Sequence, residues 1–464
     1  MLLHLQGEPG VVRPHMQSLS AARFWRGNMR GILDAVVIGA GSAGLGVSYF
    51  LQQRGCTHQV LERGCIGETW RTQRWDSFRL NSTNIRTMLP GDSYDGPDPW
   101  GAITHHEFVA YLEGYVDRYH LPVRTRVAVE RLDSENGTYR VTTDCETLLA
   151  HSIVIATGNQ CRQVRPSWWS DLPTIVRQVD SSAYRNPAEL VEGAVLVVGS
   201  GQSGGQIAED LVQAGRRVFL ATSRTGRLMR RYRGGDSFNW LTISGFADVP
   251  LRQLILENGG RPPPRPLLGA THTISLQSLS AQGVVLLGRF NGIVNGSLAF
   301  GDDVDDHMRF ADEASAYAKR LIDEYIERAG IDAPPAEDDP AETVASSVPS
   351  PPIRSIDLAA SGISSIIWCT GFSGDFSWVK IPGTLDEAGQ PKHEDGIGTI
   401  PGLYFAGLDF AVTRKSGTIP AVAEEADHLV SHIATKVSRP QEEADERAAS
   451  LAAVAGQGNE QCNV

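Results

Sequence analysis

No apolar run in the 464-residue chain approaches the ~20 residues that cross a bilayer, so no membrane-spanning helix is expected. Basic residues are also short: 42 Lys and Arg face 54 Asp and Glu, for a formal charge of −12. Binding a phosphate backbone needs the opposite balance, and nucleic acid is therefore not an expected partner. Cys56, Cys65, Cys145, Cys161, Cys369 and Cys462 form no CxxC or CxxxxC pair and no ligand-like cluster with His. That pattern excludes a disulfide-exchange motif and a zinc site, leaving free thiols in a reducing cytoplasm as the expectation. His105, His106, His151, His307 and His393 show no metal spacing. The first thirty residues lack the continuous apolar core of a signal peptide, and residues 1–32 are expected to form a loose extension.

What is present is a repeated local pattern. Residues 34–62 read as strand (DAVVI), glycine turn (GAGSAG), helix (LGVSYFLQQRG) and strand (HQVLE). Residues 194–224 repeat it as AVLVV, GSGQSG, GQIAEDLVQAG and RVFLA. Two further apolar strands end alike, at Ala156-Thr157-Gly158 and at Cys369-Thr370-Gly371. The order of these pieces implies an α/β chain of two Rossmann-like dinucleotide-binding domains, the second inserted into the first. The expected division is 33–165 and 356–437 for the first dinucleotide-binding domain, with 166–355 for the second and its substrate-facing insertion. Residues 331–352, rich in Pro, Ala and acids, are expected as an exposed linker, and 438–464 as a flexible tail.

The residues of each loop distinguish the two cofactors. Gly39 permits a tight turn, Gly41 lets backbone approach a pyrophosphate, and Gly44 lets helix and strand pack. Ser42 and Ala43 open the helix, whose free N–H groups face the phosphates. Glu62, ending the second strand beside Arg63, suits the hydroxyls of an unphosphorylated ribose, as in FAD or NAD. Gly199, Gly201 and Gly204, with Gln202 and Ser203, repeat the fingerprint. There the second strand runs into Thr222, Ser223 and Arg224, which favour a 2′-phosphate and so NADPH. Arg230, Arg231 and Arg233 either extend that phosphate site or form a solvated basic loop.

With GAGSAG, LERGCIGETWRTQRWDSFRL, IATGN, GSGQSG, WCTGF and GLYFAG in this order, the chain resembles the single-component flavin-containing monooxygenases. It is most similar to the bacterial branch related to plant indole-3-pyruvate monooxygenases, over most of 33–435. The resemblance implies that Trp70 and Arg71 contact FAD and that Asn84 is the active-site Asn beside the flavin, with Asn81 as the neighbouring candidate. It makes Thr157 and Gly158 a crossing between the two domains. It also aligns Gly407 and Asp409 with the final FAD motif. The family's linker signature is altered: of 174–184 only Tyr184 fits, and Asp180 stands where the family has His. The activity implied is NADPH reduction of FAD, reaction with O2, and oxygen transfer to a small organic substrate from a C4a-(hydro)peroxyflavin. N- or S-oxygenation and oxidative decarboxylation of a 2-oxo acid both fit. Assembly as a homodimer is left open. The competing classes are a non-catalytic or regulatory flavoprotein and a reductase of the same fold, and the latter lacks its cysteine pair here. Phe238, Trp240, Phe246 and Phe290, with a helix over 307–329, are expected in the substrate-facing region.

Overall fold

The computed structural model describes residues 31–436, so most of the expected extension and the whole tail from 438 lie outside the described residues. Two sheets organise the rest. In the first, Leu33–Ile38 runs parallel between Thr147–Ile155 and His58–Glu62, with Val37 opposite Val154 and Val60. In the second, Ala194–Val198 runs parallel between Ile363–Trp368 and Val218–Ala221, with Val197 opposite Ile367 and Leu220. Both central strands are buried along nearly their whole length. β-Branched runs without polar alternation form such strands because both faces of a parallel sheet are covered.

The two Thr-Gly echoes occupy equivalent places in the two sheets. Each strand that exits into Thr-Gly lies directly beside the strand that exits into a glycine loop. A Cβ on Gly39 would stand 2.5 Å from the Ala156 carbonyl oxygen, and one on Gly199 would stand 2.5 Å from that of Cys369. Both glycines adopt positive φ, +112° and +99°. The repeated Thr-Gly exits are thus the floors on which the two glycine turns rest.

Two expectations require correction, the 355/356 division and the placing of Arg230, while the segment 331–352 is an exposed loop as expected but with an anchor. Ile363–Trp368 belongs to the second sheet, so a division at 355/356 would cut through that sheet. The expected linker is anchored. Its short helix Pro340–Thr343 carries Glu342, which accepts from Arg227 Nη2 at 2.9 Å and also pairs with Ser315 and Lys319. Arg227 is almost wholly buried and needs that counter-charge. Arg230, finally, belongs neither to a phosphate site nor to a solvated loop. Its side chain is buried, and Nε donates to Asp236 Oδ2 at 2.7 Å. The long helix, expected over 307–329, spans Val304–Ala329 because Asp305 and Asp306 suit its first turn.

Removing one partner of a buried ion pair strands the other charge, at a cost of about 3–5 kcal/mol. Asp236→Ala should therefore lower unfolding stability by about that amount in urea titration. A change below ~0.5 kcal/mol would show that Arg230 finds other compensation.

Candidate active site

A cavity of about 1010 Å³ runs between the two glycine loops. At its first end, Gly39, Gly41, Ser42, Ala43, Glu62, Arg63, Trp70, Thr157 and Gly158 all lie on the wall. Gly44 stands behind it, where any Cβ would collide with the Gly39 carbonyl. A Cβ on Gly41, by contrast, would meet nothing within 4 Å. The helix Ser42–Gln53 has no side-chain cap at Gly41, leaving its N-terminal N–H groups to an outside acceptor. The Thr157 hydroxyl is buried on the same wall without a partner. An open glycine, an uncapped helix and an orphaned hydroxyl together fit a bound dinucleotide pyrophosphate. Glu62 closes the loop: its Oε2 accepts from Ala40 N and its Oε1 from Gly64 N, each at 2.9 Å.

Trp70 is held from behind. Its ring meets Phe108 edge-on at 5.1 Å, and its carbonyl accepts from His105 Nδ1 at 3.0 Å. Burial lowers the His105 pKa, which keeps the ring neutral and Nδ1–H available as a donor. Arg71 turns away to Glu113, 2.6 Å distant, and is absent from the wall. Arg74, by contrast, lies on the wall. Its guanidinium lies 4.6 Å above the Trp70 ring, and burial together with nearby Arg185 pulls its pKa to about 10.

The two asparagines are placed differently. Asn84 is not on the cavity wall: its Nδ2 donates to the Asp98 carbonyl at 2.8 Å, pinning the 84–101 loop, and its Oδ1 is buried without a partner. Asn81 lies on the wall. Its Nδ2 donates to Gln202 Oε1 at 3.0 Å, and its Oδ1 accepts from Gln206 Nε2 at 2.9 Å. Gln202 and Gln206 are four residues apart on the helix that follows the second glycine loop, so they share a face. That spacing was the signal in the sequence for Gln206.

At the second loop, Gln202 and Ser203 reach the cavity, whereas Gly199, Gly201, Gly204, Ser223 and Arg224 stand outside its wall. Gly201, like Gly41, opens onto free space. Thr222 is not available to a phosphate: its Oγ1 donates to the Leu287 carbonyl at 2.7 Å and also meets His307 Nδ1. Ser223 bonds Ser200 and Thr225. Arg224 is exposed, with its guanidinium 4.2 Å from the Phe310 ring centroid. Gly407 and Asp409 lie on the cavity wall. Asp409 accepts from Asn159 at 2.9 Å and pairs with Arg265 at 2.8 Å. Asp180 bonds Arg165 Nε at 2.7 Å, and its carbonyl closes a turn to Ala183 and Tyr184. Of the expected aromatics, Phe238 and Phe246 line the cavity. Trp240 donates instead to the Tyr232 carbonyl, and Phe290 packs against Trp168 and Trp368. Among the described residues no group of His, Cys, Asp or Glu is arranged to hold a metal ion.

Residues 36–234 match the family model described as pyridine nucleotide-disulphide oxidoreductase. An uncharacterized CzcO-like oxidoreductase of Geobacillus kaustophilus is 30% identical over 411 residues, 87% of this chain and 99% of that protein. A probable indole-3-pyruvate monooxygenase of Arabidopsis thaliana is 30% identical over 227 residues, 47% of this chain and 53% of that one. Among solved structures, a flavin-containing monooxygenase from Stenotrophomonas maltophilia superposes with a TM-score of 0.58 at 19% identity. That likeness covers 87% of this chain and 99% of the other. The chain belongs to the family of CzcO-like oxidoreductases and has the fold of the flavin-containing monooxygenases. Every described cysteine is a free thiol. No described helix is long and apolar enough to cross a membrane.

Gly41→Val should push its side chain into the space in front of the helix, where its Cβ meets no protein atom within 4 Å. The purified variant is expected to keep its far-ultraviolet circular dichroism and lose FAD affinity by roughly tenfold or more, the worth of a lost phosphate contact. Full FAD retention would place the pyrophosphate elsewhere.

Proposed function

We propose that the protein is an FAD- and NADPH-dependent monooxygenase of a small organic substrate, acting in the cytoplasm by N- or S-oxygenation or by oxidative decarboxylation of a 2-oxo acid. The observation that carries the reading is one cavity that runs from the first glycine loop to Gln202 and Ser203 of the second, with Asn81 on its wall tied to the helix of the second loop. On this reading the second sheet is a domain inserted into the first, FAD lies along Gly39–Gly44, Glu62, Trp70 and Thr157, and NADPH lies along Gly199–Gly204, Ser223 and Arg224. Bound FAD would supply the redox chemistry, carrying electrons from NADPH to O2 and one oxygen atom to the substrate.

The chain's own residues prepare and protect that chemistry. Gly41 and the uncapped helix bind phosphate, while Glu62 orients the ribose. Trp70, Phe78 and Arg74 form a dry stacked wall, and exclusion of water from such a wall protects reactive oxygen species from release. Asn81 offers a fixed amide whose rotamer is set by two partners, so it can hold a polar group in the cavity without reorganising.

Two measurements test these roles. Asn81→Ala should raise the rate of NADPH-driven hydrogen peroxide release in air by roughly tenfold or more, with FAD still bound. Asn84→Ala should leave that rate unchanged, and an unaltered rate in Asn81→Ala would remove the residue from the site. Arg224→Ala should raise KM for NADPH roughly 10- to 100-fold and leave KM for NADH alone, as expected for a lost guanidinium–phosphate contact. Equal effects on both cofactors would exclude Arg224 from the 2′-phosphate site.

A further inference from the structure

The apolar end of the cavity is walled by Phe238, Leu241, Phe246, Phe310 and Tyr317, with Arg414 over the Phe246 ring. Arg224 lies over the Phe310 ring and Arg320 over the Tyr317 ring, and two further neighbouring cations are neutralised. Arg265 pairs with Asp409 at 2.8 Å, and Lys415 lies between Asp248 at 2.6 Å and Glu424 at 2.7 Å. Arg414 has no such partner. Its guanidinium lies 4.0 Å from the Phe246 ring centroid, and its Nε is buried without a hydrogen-bond acceptor. Among the described residues no carboxylate reaches ion-pair distance of it. Glu257 acts on it only from further away and accepts from Gln253 at 2.8 Å. Burial lowers the Arg414 pKa, the mark of a charge whose desolvation is not repaid within the protein.

Phe246, Tyr317 and Arg414 also line a smaller pocket of about 240 Å³, with Gln253, Arg328 and the carboxylates of Glu257 and Glu324, so an anion is expected on the side of the larger cavity. Arg414 stands on the partition between the two spaces, where a solute in the larger one meets its free edge. A guanidinium stacked on one face keeps its in-plane N–H groups for a planar, two-oxygen acceptor.

We propose that this end of the cavity binds the substrate as an organic anion, a carboxylate on a flat apolar body, with Arg414 as its counter-ion and the rings of Phe246 and Tyr317 as its walls. This inference rests on the reading of the cavity as a monooxygenase active site and narrows its substrate class. An amine that is cationic at neutral pH would meet Arg414 with like charge and is excluded from the same position.

The test uses the FAD-loaded protein and calorimetric titration with 3-phenylpropionate and with its neutral isostere, 3-phenylpropionamide. The acid is expected to bind at least tenfold more tightly than the amide. Arg414→Gln should weaken the acid about 10- to 100-fold, the range of a charge-assisted hydrogen bond, and erase the preference, whereas Arg414→Lys should retain part of it. FAD content and circular dichroism report whether each variant is folded, and the acid–amide comparison on the unaltered protein needs no variant. Equal affinity for acid and amide overturns the proposal, as does an acid preference that survives in Arg414→Gln. Displacement of the acid by saturating NADP⁺, with NADP⁺ itself weakened in Arg414→Gln, overturns it by assigning Arg414 to the nucleotide. Failure of NADPH to bleach the flavin would instead sink the monooxygenase reading, and leaves the acid–amide comparison to stand or fall by itself.

Discussion

The buried guanidinium of Arg230 is the constraint on which the relation of the two halves depends. A charge that deep is tolerable only when every N–H has an acceptor. Asp236 supplies the counter-charge, while Nη1 donates to the carbonyls of Asn81 at 2.8 Å and Gly269 at 3.2 Å. Asn81 belongs to the chain following the first glycine loop, and Arg230 to the chain following the second. The Asn81 side chain then grips Gln202 and Gln206 on the second loop's helix. One backbone carbonyl and one primary amide thus fix the distance between the two loop ends. The cavity between them inherits its width from that arrangement, and so would the separation of two cofactors bound in it.

The anchored segment around Glu342 reinforces the same region from outside. Arg227 lines the cavity only two residues after Thr225, and it could not remain buried there without Glu342 and Asp312. Glu342 also reaches Ser315 and Lys319 on the long helix Val304–Ala329, whose Phe310, Ala314 and Tyr317 face the cavity. A stretch whose composition reads as a linker is therefore a brace. Its one buried carboxylate joins the second loop's exit to the helix that walls the apolar end.

The glycine loops were legible because their geometry is local. A turn of positive φ, an open second glycine and a close helix–strand crossing each impose a residue type at a fixed spacing. The side chains that fill the cavity were less legible, because their directions depend on distant partners. Arg71 and Arg74 lie three residues apart, and the sequence between them holds nothing that says which turns inward. Glu113, 42 positions on, draws Arg71 out. Asn84 and Asn81 are spaced alike, and the carbonyl of Asp98 captures the former while two glutamines more than 120 positions away capture the latter. Trp240 and Phe290 follow the same logic, since a hydrogen bond to Tyr232 and a stack on Trp368 remove them from a wall their composition suggested.

The contrast between Glu62 and Ser223 shows how one structural task can be met with two different charges. In the first loop, Ala40 N, immediately after the turn glycine, donates to the Glu62 carboxylate. In the second, Ser200 N holds the equivalent place and meets Ser223 Oγ at 3.3 Å, while Ser223 N donates to Ser200 Oγ at 3.0 Å. Each pair closes its loop against the end of the neighbouring strand. The first does so with a negative charge, which favours free ribose hydroxyls. The second does so with neutral hydroxyls, and the adjacent exposed charge is the cation of Arg224. Cofactor discrimination, on the proposed assignment, is therefore built into the groups that hold each loop shut. Exchanging Ser223 for an acid would add a carboxylate and also remove the serine pair that sets the position of the turn. The nucleotide preference of each half is in this way tied to its stability, and the two cannot be altered separately at that position.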